Sequence, residues 1–405
     1  MTAGEVSGQR IALQATCNTP ATRFCDAAME APRNWRGPVF RLSQDYPDRP
    51  GNDVQPWRRY RPDSQSREYM EAVLSYVFEG NINRTADLSF DFANNNRRRW
   101  YHAPWQDFGP NGREFVHGLT RERTSLPREL HPDQDRHWHN YAVGFYNQPG
   151  GYTIGQVWRD RGNPDPRLAI FPEGTVAAKL LFTTAPASEV PYLVGAPEWT
   201  AYVYSNPNVR RPRPNDPRRL MRLRLLQIDI AVKDSRIGSV GWVFGTFVYG
   251  GGIDGRRGSG WGNVAPLGLM WGNDPGHAGG PFRESRINEE VRLPRLGWQG
   301  RLNGPVDNPV SSCLSCHSTA QYPQADLIPP PNRPWQPWFR NIPSGQPFAP
   351  PAQSTDYSLQ LSTGIANFRQ AQRAMQVESL RSRQRFLRSV RESDPRTPRE
   401  GGKLH

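Results

Sequence analysis

The sequence predicts an α+β protein, with an antiparallel β-sheet core, flanking helices and long irregular loops. Short apolar stretches separated by turn residues follow one another in the middle of the 405-residue chain. They lack the intervening helical segments that a parallel sheet requires. Long stretches on either side are rich in proline and glycine, and the chain has 40 and 37 of these. Its 13 tryptophans, 14 tyrosines and 17 phenylalanines argue against disorder and predict an aromatic core.

The chain divides into three predicted regions. Residues 1–140 form an irregular N-terminal arm and a helical region, residues 141–350 a β-rich domain, and residues 351–405 a C-terminal helix with a basic tail. Apolar residues at helical spacing predict a helix from Ser66 to Glu79. A looser apolar pattern predicts a second helix from about Asp356 to Arg391.

Five strands are predicted in the middle region. They are Ala142 to Tyr146, Tyr152 to Trp158, Gly174 to Thr183, Arg222 to Val232, and Gly241 to Tyr249. The first two flank Pro149-Gly150-Gly151, which predicts a hairpin. In the fourth strand, Ile228 and the apolar residues at alternate positions share one face. Gln227, Asp229 and Lys233 share the other face. Residues 250–312 are glycine-rich and are predicted to form a long ordered loop system.

The net charge of +13 comes mainly from scattered arginines. No nucleic-acid-binding signature accompanies them, so we expect no nucleic-acid partner. An acidic redox partner protein matches this charge. No run of about 18 apolar residues is present, and we expect no membrane span.

The segment Cys313-Leu314-Ser315-Cys316-His317 is a C-x-x-C-H motif, which is typical of c-type haem attachment. Two thiols three positions apart can form thioethers with the two vinyl groups of the porphyrin. The adjoining imidazole then binds the iron on the proximal side. We predict one covalent haem c, held by Cys313 and Cys316 with His317 as the proximal ligand, near the C-terminal part of the chain.

Other interpretations of the motif are a redox dithiol, half of a zinc site and a structural role. A dithiol of this kind usually opens a helix after a strand in a βαβ unit, which the pattern lacks. A four-cysteine zinc site would need Cys17 and Cys25, whose spacing does not suit a second knuckle. These two cysteines form a disulfide or remain free thiols.

The sequence leaves the distal ligand of the haem iron unassigned. Met270 and His277 are weak distal candidates, and for Met270 a buried packing role is favoured. Met375, inside the predicted C-terminal helix, is the only methionine downstream of the motif. His137 and His139 would share a strand face, and a polar aromatic patch is favoured there over a metal site. A distal site open to a small molecule is the other possibility.

Three segments before the motif carry a family resemblance. They are Phe171 to Lys179, Ile228 to Asp234, and Gly241 to Phe247. With the C-x-x-C-H motif, they resemble the β-sheet cytochromes known as cytochrome c-prime-beta and their hydroxylamine-oxidising relatives with a lysine–haem cross-link. The resemblance covers roughly residues 140–325. It implies an antiparallel sheet, a five-coordinate haem and an exposed distal face. Lys179 lies on the strand where a cross-linking lysine would be sought, and we interpret it as an ordinary strand lysine.

Two main functions follow as predictions, and a haem with a structural role in a larger assembly is a third possibility. The first is electron transfer by a c-type cytochrome. The alternative is a haem enzyme of oxidoreductase type, or a gas-binding protein, with a small nitrogen-oxide or peroxide ligand at an open distal site. Covalent haem is attached outside the cytoplasm, so we expect a periplasmic or otherwise extracytoplasmic location. The first residues show no signal peptide, and we expect a leader to have been removed.

Overall fold

A computed structural model describes most of the chain. The described residues are 24, 42–83, 90–92, 94–106, 119–206, 208–209, 216–250, 260–276, 282–291, 312–330 and 333–393. In the helix that ends this range, several side chains beyond residue 373 are left out of the description.

An antiparallel sheet of eight strands lies at the centre of the described part of the chain. Its strands are β1 Leu119–Arg121, β2 Asn140–Tyr146, β3 Val176–Thr183, β4 Glu198–Tyr204, β5 Arg218–Lys233, β6 Trp242–Tyr249, β7 Val264–Met270 and β8 Ser285–Ile287. The order across the sheet is β1-β2-β3-β5-β6-β7-β8, and β4 pairs with the outer half of β5. A second, two-stranded sheet joins β9 Gln321–Tyr322 to β10 Gln353–Ser354.

Four α-helices accompany the sheet in the described residues. They are α1 Ser66–Phe78, α2 Gln148–Val157, α3 Cys313–His317 and α4 Leu359–Ser393. Short 3-10 turns lie at Pro56–Arg59, Pro166–Leu168, Pro191–Leu193, Gly260–Asn263 and Gln336–Trp338. The predicted α+β class with a mostly antiparallel sheet is confirmed. None of the helices in the described ranges is long and apolar enough to cross a membrane.

The predicted strand from Tyr152 to Trp158 is wrong, because this segment belongs to helix α2. Asn147 caps the helix by accepting a hydrogen bond from the Gly150 amide, and Pro149 lies in its first turn, where proline is favoured. The glycines serve close packing rather than a hairpin turn. A Cβ atom at Gly151 would lie 2.5 Å from the Tyr101 ring.

The predicted loop system over 250–312 is also wrong in part, because β7 and β8 lie within it. Strand β7 contains Pro266 and Gly268, two residue types that weaken a strand pattern. Pro266 pairs with Phe247 at a register shift between β6 and β7, where a missing amide hydrogen is tolerated. The proline and glycine of this segment therefore weakened the strand pattern in the sequence, although the neighbouring strands pair with β7.

The alternation predicted in β5 is confirmed, and it gives the sheet two different faces. Ile228, Ile230 and Val232 enter the larger hydrophobic core, in which α1 packs against the sheet. Asp229 and Lys233 point to the opposite face. That face carries a smaller core, built with side chains from α2, α3 and α4. The larger core joins residues from both sides of position 140, and the predicted division into three regions stays a prediction.

Candidate functional site

The C-x-x-C-H motif forms the one-turn helix α3 on the second face of the sheet. Ser312 and Ser315 hold its first turn through a reciprocal capping box, with hydrogen bonds of 3.0 and 2.8 Å. The Ser312 hydroxyl also bonds Asn273 Oδ1 at 3.1 Å, which ties the turn to the segment after β7. Leu314 is fully buried in the smaller core. The turn is thereby held at its N-terminal end by hydrogen bonds and on its buried side by Leu314.

Cys313 and Cys316 are half-buried thiols that are not joined by a disulfide. Burial raises the pKa of Cys316 to about 11. The pKa of Cys313 is raised further, by burial and then by the nearby Asp229 carboxylate. A hydrogen bond between Thr246 and Cys313 acts in the opposite direction. Both thiols are therefore neutral near pH 7 and free for covalent bonding.

His317 is held as one tautomer. Its Nδ1 atom lies 2.8 Å from the backbone carbonyl oxygen of Tyr357, and since a carbonyl only accepts, Nδ1 must carry the hydrogen. The lone pair is then on Nε2. Burial lowers the pKa of His317 to about 4, which keeps the ring neutral. The Phe244 ring lies 4.7 Å from the imidazole between centroids and limits its rotation.

A polar row crosses the sheet beside the motif. Lys179, Asp229 and Thr246 occupy matching register positions on β3, β5 and β6. Lys179 Nζ lies 3.2 Å from Asp229 Oδ2, and Thr246 Oγ1 donates to Asp229 Oδ1 at 2.8 Å. Gln227 donates to the same oxygen at 2.8 Å. We call Lys179, Gln227, Asp229 and Thr246 the polar row.

Lys179 is the electrostatic centre of this row. Burial lowers the pKa of Lys179, but the carboxylates of Asp229 and Glu122 outweigh burial and raise it overall. The side chain stays 34% exposed. Its charge acts on Cys313, Cys316 and His317 alike. Lys179 thus acts on both thiols and on the imidazole, and Asp229 acts on Cys313 and His317.

Of the distal candidates named from the sequence, Met270 lies within the described residues. Met270 is buried, pairs in register with Phe244, and belongs to the same small core as Leu314. This position suits packing, and a distal role for Met270 stays a prediction. His277, Cys17 and Cys25 lie outside the described residues, as does the side chain of Met375.

His137 and His139 are not arranged as a metal-binding pair. His139 Nε2 lies 2.9 Å from the Asn206 carbonyl oxygen, and its Nδ1 lies 3.3 Å from the Thr124 hydroxyl. Within the residues that the structure describes, no three His, Cys, Asp or Glu side chains are grouped so that they could hold a metal ion.

The donor set fits a haem c. Two unpaired thiols three residues apart, and a neutral imidazole whose Nδ1 hydrogen is already bonded, are what covalent attachment and proximal ligation require. Comparisons with protein-family models, with curated proteins and with solved structures find no match to this chain.

Sequence reasoning found the motif and singled out Lys179, but it did not bring the other surrounding residues together with the motif. The apolar–polar alternation of β5 puts Asp229 on the polar face of the strand. This alternation is the sequence signal that could have pointed to the polar row. Thr246 lies on a strand with no alternation, and Glu122 lies beside the short strand β1. Tyr357 acts through its backbone, which no side-chain pattern can reveal.

Proposed function

We propose that the chain binds one haem c covalently through Cys313 and Cys316, with His317 as the proximal ligand, and acts in redox chemistry as a c-type cytochrome. The observation that carries the proposal is the hydrogen bond from His317 Nδ1 to the Tyr357 carbonyl. It leaves Nε2 for iron, in a helical turn that also presents two unpaired thiols. A redox dithiol or a structural turn would not need an imidazole oriented in this way.

The haem would supply a one-electron iron couple held near the surface of the sheet. Each thiol would add across one vinyl C=C bond, so that an S–C bond forms and the thiol hydrogen goes to the other vinyl carbon. The protein's own part is to fix the imidazole and to surround it with Phe244 and the polar row. Electron transfer to a partner is the first function that we propose, with the net charge of +13 favouring an acidic partner.

A second function, small-ligand chemistry at the haem, is favoured by the polar row. A simple electron carrier has no need of a half-buried cation and anion beside its thiols, because even partial burial of charged groups costs free energy. Lys179 could donate a hydrogen bond or a proton to a bound nitrogen oxide or peroxide. The position of Lys179 beside the motif also keeps open the resemblance to the lysine-cross-linked cytochromes.

Attachment is tested by expressing the chain, with an export signal, together with the c-type maturation machinery. The haem should survive extraction into acidified organic solvent, and the double variant Cys313→Ala, Cys316→Ala should release it. Haem that is extractable from the unaltered chain, or absent from it, would overturn the proposal.

Optical spectra of the oxidised and reduced protein, with and without CO, separate the two functions. A low-spin spectrum that CO does not change supports electron transfer, because both axial positions are then filled. A high-spin spectrum that CO shifts supports small-ligand chemistry. In that case Lys179→Met should change NO binding, whereas Arg219→Met, an exposed charge on β5, should not. A haem peptide that includes Lys179 in a proteolytic digest would reveal a cross-link.

A further inference from the structure

A buried ion pair lies next to the residue whose carbonyl contacts His317. Asp356 is fully buried and Lys233 is 9% exposed, and Lys233 Nζ lies 3.4 Å from Asp356 Oδ2. Lys233 also donates to the Ser344 hydroxyl. Replacing such a pair by apolar side chains often leaves stability unchanged or improves it, so a buried pair needs an explanation other than stability.

Asp356 connects separate parts of the chain. Its two oxygens accept hydrogen bonds from the Phe171 amide at 3.1 Å, the Trp242 indole at 3.1 Å, the Ser344 hydroxyl at 2.6 Å and the Gly345 amide at 3.1 Å. These donors lie in the loop before β3, at the start of β6, and in the segment before β10. The carboxylate therefore fixes the start of α4 against the sheet.

The backbone at this point is in an unusual conformation. Asp356 and Tyr357 have φ angles of 45° and 66°, so two successive residues with side chains occupy the left-handed region. That region is disfavoured for such residues and persists only where surrounding contacts impose it. The Asp356 hydrogen bonds and the bond from the Tyr357 hydroxyl to the Ile342 carbonyl, 2.5 Å, are such contacts. The resulting turn directs the Tyr357 carbonyl at His317.

We propose that Asp356, paired with Lys233, is a positioning residue for the proximal histidine. It holds the left-handed turn that aims the Tyr357 carbonyl at His317 Nδ1, and it thereby sets the strength of that hydrogen bond. This inference rests on the proposed function, because the property that Asp356 would change is the reduction potential of the haem iron. A partner on Nδ1 raises the basicity of the histidine ligand and so stabilises the oxidised iron. Loosening the turn should therefore raise the reduction potential.

The test compares Asp356→Asn with Asp234→Asn in the haem-loaded full-length chain. Asp234 is a matched control, since it is also buried and ion-paired, but its partners are Arg236 and Tyr69 on the α1 side of the sheet. We expect both variants to retain covalent haem. The midpoint potential should shift upward for Asp356→Asn and stay at the unaltered value for Asp234→Asn. Equal potentials in all three proteins, or equal shifts in both variants, would overturn the inference.

A second measurement does not need haem. In the Cys313→Ala, Cys316→Ala chain, nitrogen-15 NMR should show His317 as a single tautomer with its hydrogen on Nδ1. Adding Asp356→Asn should produce a mixture of tautomers, and adding Asp234→Asn should not. If the unaltered chain takes up no haem, the proposed function fails while this arm still decides whether Asp356 positions His317.

A milder variant covers the case in which Asp356→Asn does not fold. Ser344→Ala removes one donor to Asp356 Oδ1 and leaves the ion pair in place. It should give a smaller upward shift in potential, and a smaller population of the second tautomer. Values identical to those of the unaltered chain in both measurements would overturn the inference.

Discussion

The two faces of the central sheet bury different kinds of side chains. On the α1 face the core is continuous and aromatic, and the Phe145 ring lies within 5 Å of both the Phe92 and the Trp100 rings, measured between centroids. On the α3 face the core is smaller, and the polar row and the Asp356–Lys233 pair interrupt it. Moving a polar group out of water costs free energy unless its hydrogen-bonding atoms find partners in the protein.

The difference indicates how the chain divides its tasks. The aromatic face supplies free energy of folding by excluding water from large side chains. On the α3 face, part of that free energy is offset by the cost of burying the charges and hydrogen-bonding groups that orient His317 and surround the thiols. Substitutions on the two faces should therefore separate effects on stability from effects on the proposed haem site.

The largest loss of stability is expected for Phe145→Ala. Phe145 is fully buried, and removing its ring should lower the free energy of unfolding by about 3–5 kcal/mol. Urea unfolding followed by tryptophan fluorescence measures this loss, with the half-buried Phe348→Ala as control. Covalent haem content should not change. A loss below about 1 kcal/mol would contradict the assignment of the aromatic face as the main source of stability.

On the α3 face, Asp229→Asn should lower the free energy of unfolding by about 1–2 kcal/mol, because Lys179 loses its charged partner in a partly screened site. The double variant Lys179→Met, Asp229→Leu should recover that loss, since no half-buried charge of this pair is then left without its partner. Urea unfolding of the three proteins checks both statements. A double variant less stable than Asp229→Asn would show that the polar row stabilises the fold rather than serving the site.

A smaller effect depends on pH and concerns the carboxylate on the α1 face. Burial alone would raise the pKa of Asp234, but its hydrogen bonds and charge attraction to Arg236 outweigh burial and lower it. The stabilisation is complete above the unfolded pKa of about 3.9 and is lost as the pH falls through the folded pKa. Between pH 5 and pH 3, the free energy of unfolding measured in urea should fall more for the unaltered chain than for Asp234→Asn. Parallel losses would contradict the depressed pKa.

The smallest effect is expected outside both faces. Arg67 is 57% exposed and pairs with Glu71 at 3.1 Å and Glu290 at 3.2 Å. Exposed pairs of this kind contribute about 0.5 kcal/mol or less, so Arg67→Ala should leave the urea midpoint nearly unchanged. A loss above about 1 kcal/mol would show that surface charges, and not the aromatic face alone, hold the fold.

Helices and strands whose apolar residues recur with a regular period were predictable from the sequence. Helix α1 begins at the predicted residue and ends one residue before Glu79, and β5 shows the predicted alternation, because each presents one apolar side to the core. Helix α2 was missed because its Pro-Gly-Gly sequence imitates a turn, whereas the glycines are required by the Tyr101 and Tyr146 rings packed against them. Strand β7 was missed because its proline and glycine are acceptable only beside the register shift in its partner.

The sequence by itself determined the antiparallel α+β class and the residues of the candidate site that are neighbours in the chain. Cys313, Cys316 and His317 lie within one helical turn, so their spacing is a local property that can be read without a fold. Only the tertiary structure decided what surrounds them. Lys179, Asp229 and Thr246 meet because three strands pair in one register, and Tyr357 reaches His317 from 40 residues along the chain. Such contacts depend on long-range pairing, and no local spacing encodes them.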